Sequence, residues 1–228
     1  MVEHLLWEQG VVGSNPATPT TNNVINTFVF NFDNIITKDN FVNKPFPHFR
    51  IYDVLPKHEH DTLFSTFEEN RNKLELPFCI WDKNNSPAVL DQNWNEVLEL
   101  FWNSCDDVIS KCMDYFPIDS NKKIIPTGVS MVTHNAVVPP GKLIRDWHID
   151  GSSKFVNIIY YMGTGEETHG EIELKNFDIR DETFTSYPYK ANSMIIWPNV
   201  SPFHHRFRMS GNGFRNTIYT NYAYIDYA

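Results

Sequence analysis

The stretch Arg145-Asp146-Trp147-His148-Ile149-Asp150-Gly151 places a histidine and an aspartate two residues apart beside apolar residues. A β-branched and aromatic setting of this kind indicates the end of a β-strand. Because successive side chains of a strand alternate between its two faces, His148 and Asp150 are expected to point the same way. This pair therefore supplies two candidate ligands for one metal ion.

A third ligand has to come from a strand that is remote in sequence, since non-haem iron(II) sites that activate oxygen commonly use two histidines and one carboxylate. The adjacent residues His204 and His205 are the candidates. With His205 facing inward, Phe207 shares its face, while Arg206 and Arg208 point outward. With His204 inward, both arginines would enter the interior, where an unpaired charge is costly. We prefer His205, although an anionic ligand paired with one arginine would make His204 acceptable.

Length and charge limit the class of protein. The chain has 228 residues, with 19 basic and 28 acidic residues and a formal charge of -9. Without a basic run, this charge argues against nucleic acid or an anionic membrane surface as a partner. The sequence has no apolar run of the ~20 residues that cross a bilayer. The three cysteines, Cys79, Cys105 and Cys112, do not form a disulfide framework, so we expect a cytoplasmic protein.

The chain divides into a tail and one domain. Residues 1–26 carry prolines, threonines and short polar residues without periodicity, which predicts a flexible or non-native N-terminal tail. Residues 27–228 are expected to form a single domain. It would consist of a helical buttress at about 55–117 and a β-rich core at about 120–228. Alternating phenylalanines in 27–36 predict a strand that extends the sheet.

Two helices are predicted before Pro117. One begins near Leu55 and the other, with stronger apolar periodicity, begins at Asp91. Their simplest role is to support a sheet. His58 and His60 lie on the first helix, where a spacing of two makes side chains diverge, so we expect both to be exposed to solvent.

After Pro117 the sequence changes to strands. β-branched and aromatic runs alternate with Gly, Pro, Asn and Ser in seven segments: 129–138, 142–150, 155–162, 170–176, 191–197, 203–209 and 215–224. This pattern predicts a mainly β fold with flanking helices, as a jelly roll or related double-sheet barrel. Such a barrel brings strands that are distant in sequence to one metal at its open mouth.

These pieces, taken in order, resemble the iron(II)- and 2-oxoglutarate-dependent oxygenases, and within them the prolyl 4-hydroxylase-like branch. The resemblance implies a double-stranded β-helix core of the cupin-like type. It covers the chain from Lys44 to the end and rests on Lys44–Phe49, Val54–Pro56, His148–Asp150, Ile158–Met162, Gly170–Leu174 and the pair His205 and Arg215.

The resemblance implies that His148, Asp150 and His205 are the metal ligands and the catalytic centre. It also gives cosubstrate roles to two more residues: Arg215 would form a salt bridge with the distal carboxylate of 2-oxoglutarate, and Tyr161 would contact the same group. Arginine suits this role because its planar guanidinium grips a carboxylate with two hydrogen bonds.

Several cosubstrate assignments remain open from the sequence. Thr217 shares the face of Arg215 and offers a hydroxyl, but a purely structural role is favoured for it; for Tyr161 a core aromatic is an equal alternative. Relatives often carry a tyrosine about ten residues before the first histidine ligand, where this chain has Val138. The contact to the proximal carboxylate is therefore not assigned.

Asp146 has the same alternation as His148 and Asp150, but its spacing puts it about 6 to 7 Å further along the strand. It would therefore share their face without reaching the metal. Contact with a metal ligand or with substrate is more plausible than direct ligation. A surface salt bridge with Arg145 or Lys142 is the expectation.

The function that the resemblance implies is hydroxylation of an unactivated C–H bond, with release of succinate and CO2. Its requirements are Fe(II), 2-oxoglutarate and O2, with ascorbate as an optional reductant. A prolyl residue in a peptide or protein is the first expected substrate, ahead of another amino-acid residue, a small metabolite or a lipid. A cupin-like metal-dependent enzyme, either an isomerase or a cosubstrate-independent dioxygenase, and a noncatalytic β-sandwich binding module are the alternatives.

Overall fold

The structure is a computed structural model. It describes residues 30–32, 34–71, 78–82, 92–117, 122–135, 143–151, 154–164, 170–180, 183–209 and 214–226. The expected N-terminal tail, 1–26, lies outside these ranges.

Two α-helices and eleven strands are found in the described ranges. The helices are α1, Lys57–Arg71, and α2, Gln92–Cys112, and a short 3-10 turn covers Lys38–Asn40. The strands β1 to β11 are Phe41–Val42, His48–Tyr52, Phe78–Asp82, Lys122–Asn135, Leu143–His148, Val156–Met162, Gly170–Asn176, Thr185–Pro188, Ser193–Pro198, Phe203–Met209 and Phe214–Asp226. Neither helix is long and apolar enough to cross a membrane.

The strands form two antiparallel sheets. The larger sheet has the order β1-β2-β9-β6-β11-β4-β3, and the smaller one has the order β5-β10-β7-β8. Neighbours in each sheet include strands far apart in sequence, such as β2 with β9 and β5 with β10. The predicted mainly β, double-sheet fold with flanking helices is confirmed.

The two faces of the larger sheet are buried against different partners. On β6, Ile158 and Met162 belong to a core that includes Phe101 and Val108 of α2. Ile159, on the opposite face, belongs to a second core shared with the smaller sheet. Because both faces are covered, β6 is buried along its whole length, which explains its nearly continuous apolar sequence.

The strand predicted for 27–36 is not found in its described parts, 30–32 and 34–36. Phe30 and Phe32 are nevertheless buried, and both rings pack edge-to-face on Phe101 of α2. The alternating phenylalanines thus indicate burial against a helix. An irregular segment can bury them as well as a strand can. Tertiary packing overrides the local propensity here.

His60 is also placed differently from the prediction. It is buried, whereas His58 is exposed as expected. Its Nε2 donates to the Gly163 carbonyl at 2.9 Å, and its Nδ1 accepts from the Tyr160 hydroxyl at 2.6 Å. His60 therefore links α1 to the end of β6. The spacing of residues along a helix does not predict this long-range contact.

We predict that His60→Ala lowers the free energy of unfolding by about 1 to 3 kcal/mol, because the buried Gly163 carbonyl loses its donor and the Tyr160 hydroxyl keeps only Asn192 as a partner. Chemical denaturation measures this change. His58→Ala on the same helix is the control and should stay within about 0.5 kcal/mol of the parent protein. Equal effects of the two substitutions would contradict the assigned contacts.

Burial also gives His60 a pH signature. Burial lowers the pKa of His60 and outweighs the opposing hydrogen bond to Gly163, so the folded protein takes up its proton less readily than the unfolded chain. Stability contributed by this group is therefore present above the unfolded pKa of about 6.5 and is lost as the pH falls below it. Denaturation curves recorded from pH 7 to pH 5 should show a steeper loss in the parent protein than in His60→Ala.

Candidate metal centre

His148, Asp150 and His205 meet at one point of the fold. Their ligand atoms all lie within 4.8 Å of one another. His148 ends β5 and pairs in register with His205 of β10, while Asp150 follows two residues later. The distances to Asp150 Oδ1 are 3.5 Å from His148 Nε2 and 3.9 Å from His205 Nε2. One carboxylate oxygen thus faces both imidazoles.

The His148 ring is oriented by the backbone. Its Nδ1 donates to the carbonyl of Asp146 at 2.7 Å. A carbonyl can only accept, so the proton sits on Nδ1 and the lone pair sits on Nε2, facing the cluster. A hydrogen bond of this kind commonly fixes the tautomer of a metal-binding histidine.

Asp150 is held through its second oxygen. Oδ2 accepts hydrogen bonds from the Tyr219 hydroxyl at 2.6 Å and from Asn157 Nδ2 at 3.0 Å. Asn199 holds the backbone of the same turn, because its Oδ1 accepts from the Asp150 amide and its Nδ2 donates to the Lys154 carbonyl. The carboxylate therefore has one oxygen fixed and the other turned towards the histidines.

The protonation states suit metal binding. Burial alone would raise the pKa of Asp150, but the adjacent His148 and His205 rings and the hydrogen bond from the Tyr219 hydroxyl together hold that pKa well below its usual range. Burial lowers the pKa of His205 to about 3. The site at neutral pH therefore offers an ionised carboxylate and a neutral imidazole, which are the forms that bind metals.

Two imidazole nitrogens and one carboxylate oxygen form a donor set that fits iron(II). The His205 ring is wedged between Trp197 and Phe207, with ring centroids 5.0 Å and 5.5 Å away. Its Nδ1 is buried and has no hydrogen-bond partner among the described residues. Packing thus orients this ring with Nε2 towards Asp150, as a ligand role for Nε2 requires.

His204 faces away from the cluster. Its ring packs on Phe177 at a centroid distance of 4.4 Å. Arg206 and Arg208, on the same side of β10, form ion pairs with Glu173 of β7. On β10, His205 therefore points to the cluster, and His204, Arg206 and Arg208 point away from it. The two arginines are paired on the outer side of the small sheet.

Asp146 does not share the inward face, contrary to the prediction. Its side chain is 77% exposed and pairs with Arg206 at 3.8 Å. Lys142, one of the two expected partners, lies outside the described residues. The reason is a β-bulge: β10 advances two residues from His205 to Phe207 while β5 moves back three. The extra residue breaks the alternation, so Asp146 turns outward.

The same bulge turns Arg145 towards the cluster. Its Nη1 lies 3.6 Å from Asp150 Oδ1, although the side chain is 61% exposed. A cation with a largely exposed side chain therefore lies beside the carboxylate of the candidate metal centre. Sequence alternation gave no signal for this position.

The candidate cosubstrate residues lie inside the barrel. Arg215, Tyr161 and Thr217 are all at most 2% exposed. The Arg215 guanidinium lies 3.9 Å from the Phe207 ring centroid and 5.4 Å from that of Tyr161, and Thr217 pairs with Tyr161 across β11 and β6. These three residues therefore form one group. Arg215 and Thr217 lie on the same face of β11 as Tyr219, whose hydroxyl contacts Asp150.

The residues that hold Asp150 were not predicted, although the sequence carries a signal for two of them. Asn157 is an amide inside the apolar run of β6. Tyr219 lies four residues after Arg215, on the same face of β11. Asn199 has no comparable signal, because it acts from a loop.

Comparison with known proteins defines a class of fold. No family model matches the sequence, and a search of curated proteins finds no match. The architecture is that of the 2-oxoglutarate–Fe(II) oxygenases, in the form seen in prolyl 4-hydroxylases.

Three solved structures illustrate this likeness. A prolyl-4-hydroxylase from Pseudomonas putida is 12% identical, with 77% of this chain and 91% of that chain covered and a TM-score of 0.52. A prolyl hydroxylase from Trichoplax adhaerens, solved with a hypoxia inducible factor peptide fragment, is 13% identical over 89% and 88%, with a TM-score of 0.55. A 2OG-Fe(II) oxygenase family oxidoreductase from Burkholderia pseudomallei is 9% identical over 77% and 84%, with a TM-score of 0.53.

We predict that Tyr219→Phe weakens divalent metal binding by about 10- to 100-fold, because the carboxylate of Asp150 loses a hydrogen bond that fixes it. Metal titration under anaerobic conditions measures the change. Tyr222→Phe is the control, since that hydroxyl bonds Asp106 on α2, away from the cluster. It should leave metal affinity unchanged, and a loss of affinity there would argue against a specific role for Tyr219.

Proposed function

We propose that this protein is an iron(II)- and 2-oxoglutarate-dependent dioxygenase that hydroxylates an unactivated C–H bond and releases succinate and CO2. The observation that carries the proposal is the convergence of His148, Asp150 and His205 inside a fold shared with such oxygenases. Fold likeness alone does not assign activity, so the site residues bear the argument.

In this proposal His148, Asp150 and His205 hold the metal. Bound iron(II) supplies the oxidising chemistry with O2. Asp150 is the single anionic ligand, and Tyr219 and Asn157 hold its Oδ2, so that Oδ1 faces the two imidazoles. Since aspartate fills the carboxylate position, the site has no vacancy for a halide, which favours hydroxylation over halogenation.

Arg215, Tyr161 and Thr217 bind the distal carboxylate of 2-oxoglutarate in this proposal. Burial strengthens the interaction of the guanidinium with an anion, because the surrounding medium screens charge less than water does. The Tyr161 hydroxyl is buried without a hydrogen-bond partner among the described residues. It is thus available to donate to a ligand oxygen. Ascorbate remains an optional reductant of the reaction.

The substrate we propose first is a peptide, with a prolyl residue as the hydroxylation site. A structural neighbour is a prolyl hydroxylase solved with a peptide. On the outer face of the small sheet, the Trp147 ring lies 6.0 Å from that of Phe177 and 5.9 Å from that of Phe184, and the last two are nearly half exposed. Exposed aromatic residues are typical of protein contact surfaces, and this patch lies outside the metal cluster.

A reducing cytoplasm agrees with the cysteines of α2. Cys105 and Cys112 are both buried and free. Burial raises the pKa of both thiols, which keeps them protonated and unreactive. We therefore propose cytoplasmic localisation, with no nucleic-acid or membrane partner.

The experiment that tests this function is anaerobic loading with Fe(II), followed by addition of O2 and 2-oxoglutarate. Formation of succinate that requires both metal and O2 supports the proposal. Parallel screening of proline-containing peptides for a mass gain of one oxygen identifies the substrate class. Absence of succinate with metal-loaded, folded protein would contradict it.

A matched pair of histidine variants tests the ligand assignment. We predict that His205→Ala abolishes detectable Fe(II) binding, since it removes one of three protein ligands. His204→Ala should retain most of it, because that ring packs on Phe177 outside the cluster. Anaerobic calorimetry with each purified variant measures both affinities, and the reverse ranking would overturn the assignment.

A second pair tests the cosubstrate site. We predict that Arg215→Ala weakens 2-oxoglutarate binding at least about tenfold, because loss of a buried charge pair costs about 2 to 5 kcal/mol. Metal affinity should change little. Arg208→Ala is the control, since Arg208 pairs with Glu173 on the outer face. If Arg208→Ala lost cosubstrate affinity and Arg215→Ala did not, the facing of β10 and β11 would have to be revised.

A further inference from the structure

Arg50, in the middle of β2, is a buried cation whose hydrogen bonds are mostly unmade. It is 5% exposed. Its Nη2 donates to the Pro188 carbonyl at 3.1 Å, whereas its Nε and Nη1 are buried without a hydrogen-bond partner in the described chain. A buried charge with unsatisfied donors is unfavourable unless something compensates it.

Aromatic rings surround the Arg50 guanidinium. Its central carbon lies 4.7 Å from the ring centroid of Tyr52, 5.5 Å from that of Tyr187 and 5.8 Å from that of Tyr161. These rings attract a cation through their π faces. They offer no anionic oxygen, so the unmade hydrogen bonds of Nε and Nη1 remain.

The ionisable neighbours of Arg50 do not neutralise it. Burial raises the pKa of Tyr187 to about 12, so its hydroxyl stays protonated. Burial, opposed by a hydrogen bond to the Phe46 carbonyl and reinforced by Arg50, lowers the pKa of His48 to about 4, so its ring is neutral. No carboxylate of the described residues forms an ion pair with Arg50. The charge is therefore left for a ligand to balance.

Arg50 and Arg215 meet at the same tyrosine. Arg215, on β11, lies 5.4 Å from the Tyr161 ring centroid, and Arg50, on β2, lies 5.8 Å from it. Both strands belong to the larger sheet, with β9 and β6 between them. The Tyr161 hydroxyl is itself buried and unpartnered among the described residues. One anion placed beside Tyr161 would satisfy donors of both Arg50 and Tyr161.

We propose that Arg50 is a second carboxylate-binding residue of the barrel interior, which together with Arg215 and Tyr161 forms a pocket with two positive charges for a dicarboxylate ligand. The inference rests on the proposed function in taking that ligand to be 2-oxoglutarate. Arg50 binds the ligand and positions its far end; it does not touch the reacting atoms.

The test compares Arg50→Met with the parent protein and with Arg180→Met, which removes an exposed arginine. Calorimetry of anaerobic, metal-loaded protein gives the dissociation constant of 2-oxoglutarate. We expect Arg50→Met to weaken binding at least about tenfold, as the loss of one buried charge partner implies. Arg180→Met should bind as tightly as the parent, and the affinity of all three proteins for the metal should be equal.

Thermal unfolding gives a second readout that a merely structural arginine would not produce. Because Arg50→Met removes an uncompensated buried charge, the ligand-free variant should melt at the same temperature as the parent protein or higher. Its rise in melting temperature on adding 2-oxoglutarate should be smaller than that of the parent. A lower melting temperature with unchanged affinity would mean that Arg50 only supports the fold, and would overturn the inference.

Glutarate, which lacks the keto group, separates this inference from the proposed function. Glutarate binding that depends on Arg50, together with no succinate formation from 2-oxoglutarate, would retain the pocket and refute the oxygenase. Succinate formation with equal affinities in the parent and Arg50→Met would retain the oxygenase and refute the role of Arg50. Failure of the parent protein to bind either dicarboxylate would refute both.

If Arg50→Met does not fold, Arg50→Lys keeps the charge without the guanidinium, and unchanged affinity there would also count against the inference.

Discussion

The antiparallel pairing of β5 with β10 is the constraint on which the candidate metal centre depends. It sets His148 directly opposite His205, so the two imidazoles face each other across one strand pair. The bulge that follows in this pairing turns Arg145 towards the site and Asp146 away from it. A regular ladder would have exchanged these two side chains, and a carboxylate in place of Arg145 would have put a second negative charge beside Asp150.

The interior separates its polar groups by an apolar layer. Towards the start of β6, Asn157 and Tyr219 hold Asp150. Towards the end of β6 the residue is Tyr161, beside Arg215. Between them Ile159 faces inward and is buried in the second core. Charges separated by such an apolar layer are weakly screened. An elongated ligand could therefore bind the metal cluster with one end and place an anionic group beside Arg215 with the other.

The sequence predicted the parts of this arrangement that follow from periodicity. Alternation along Phe203–Met209 predicted that His205 and not His204 faces inward, and seven of the strands appeared as apolar runs. What it could not predict depends on contacts between distant segments. His60 looked exposed because its buried partners lie about a hundred residues later, and Asp146 looked inward-facing because a bulge leaves no mark on one strand alone. Arg50 gave no signal because a single arginine in a short strand is ordinarily exposed.

The outer face of the small sheet explains why β10 keeps its register. Glu173 is 2% exposed and pairs with both Arg206 and Arg208. A shift of one residue would move both arginines inside and leave Glu173 buried without a countercharge, at a cost of several kcal/mol per ion. It would also replace His205 by His204 at the candidate metal centre. The ion pairs on the outer face therefore select, through strand register, which of two adjacent histidines faces the site.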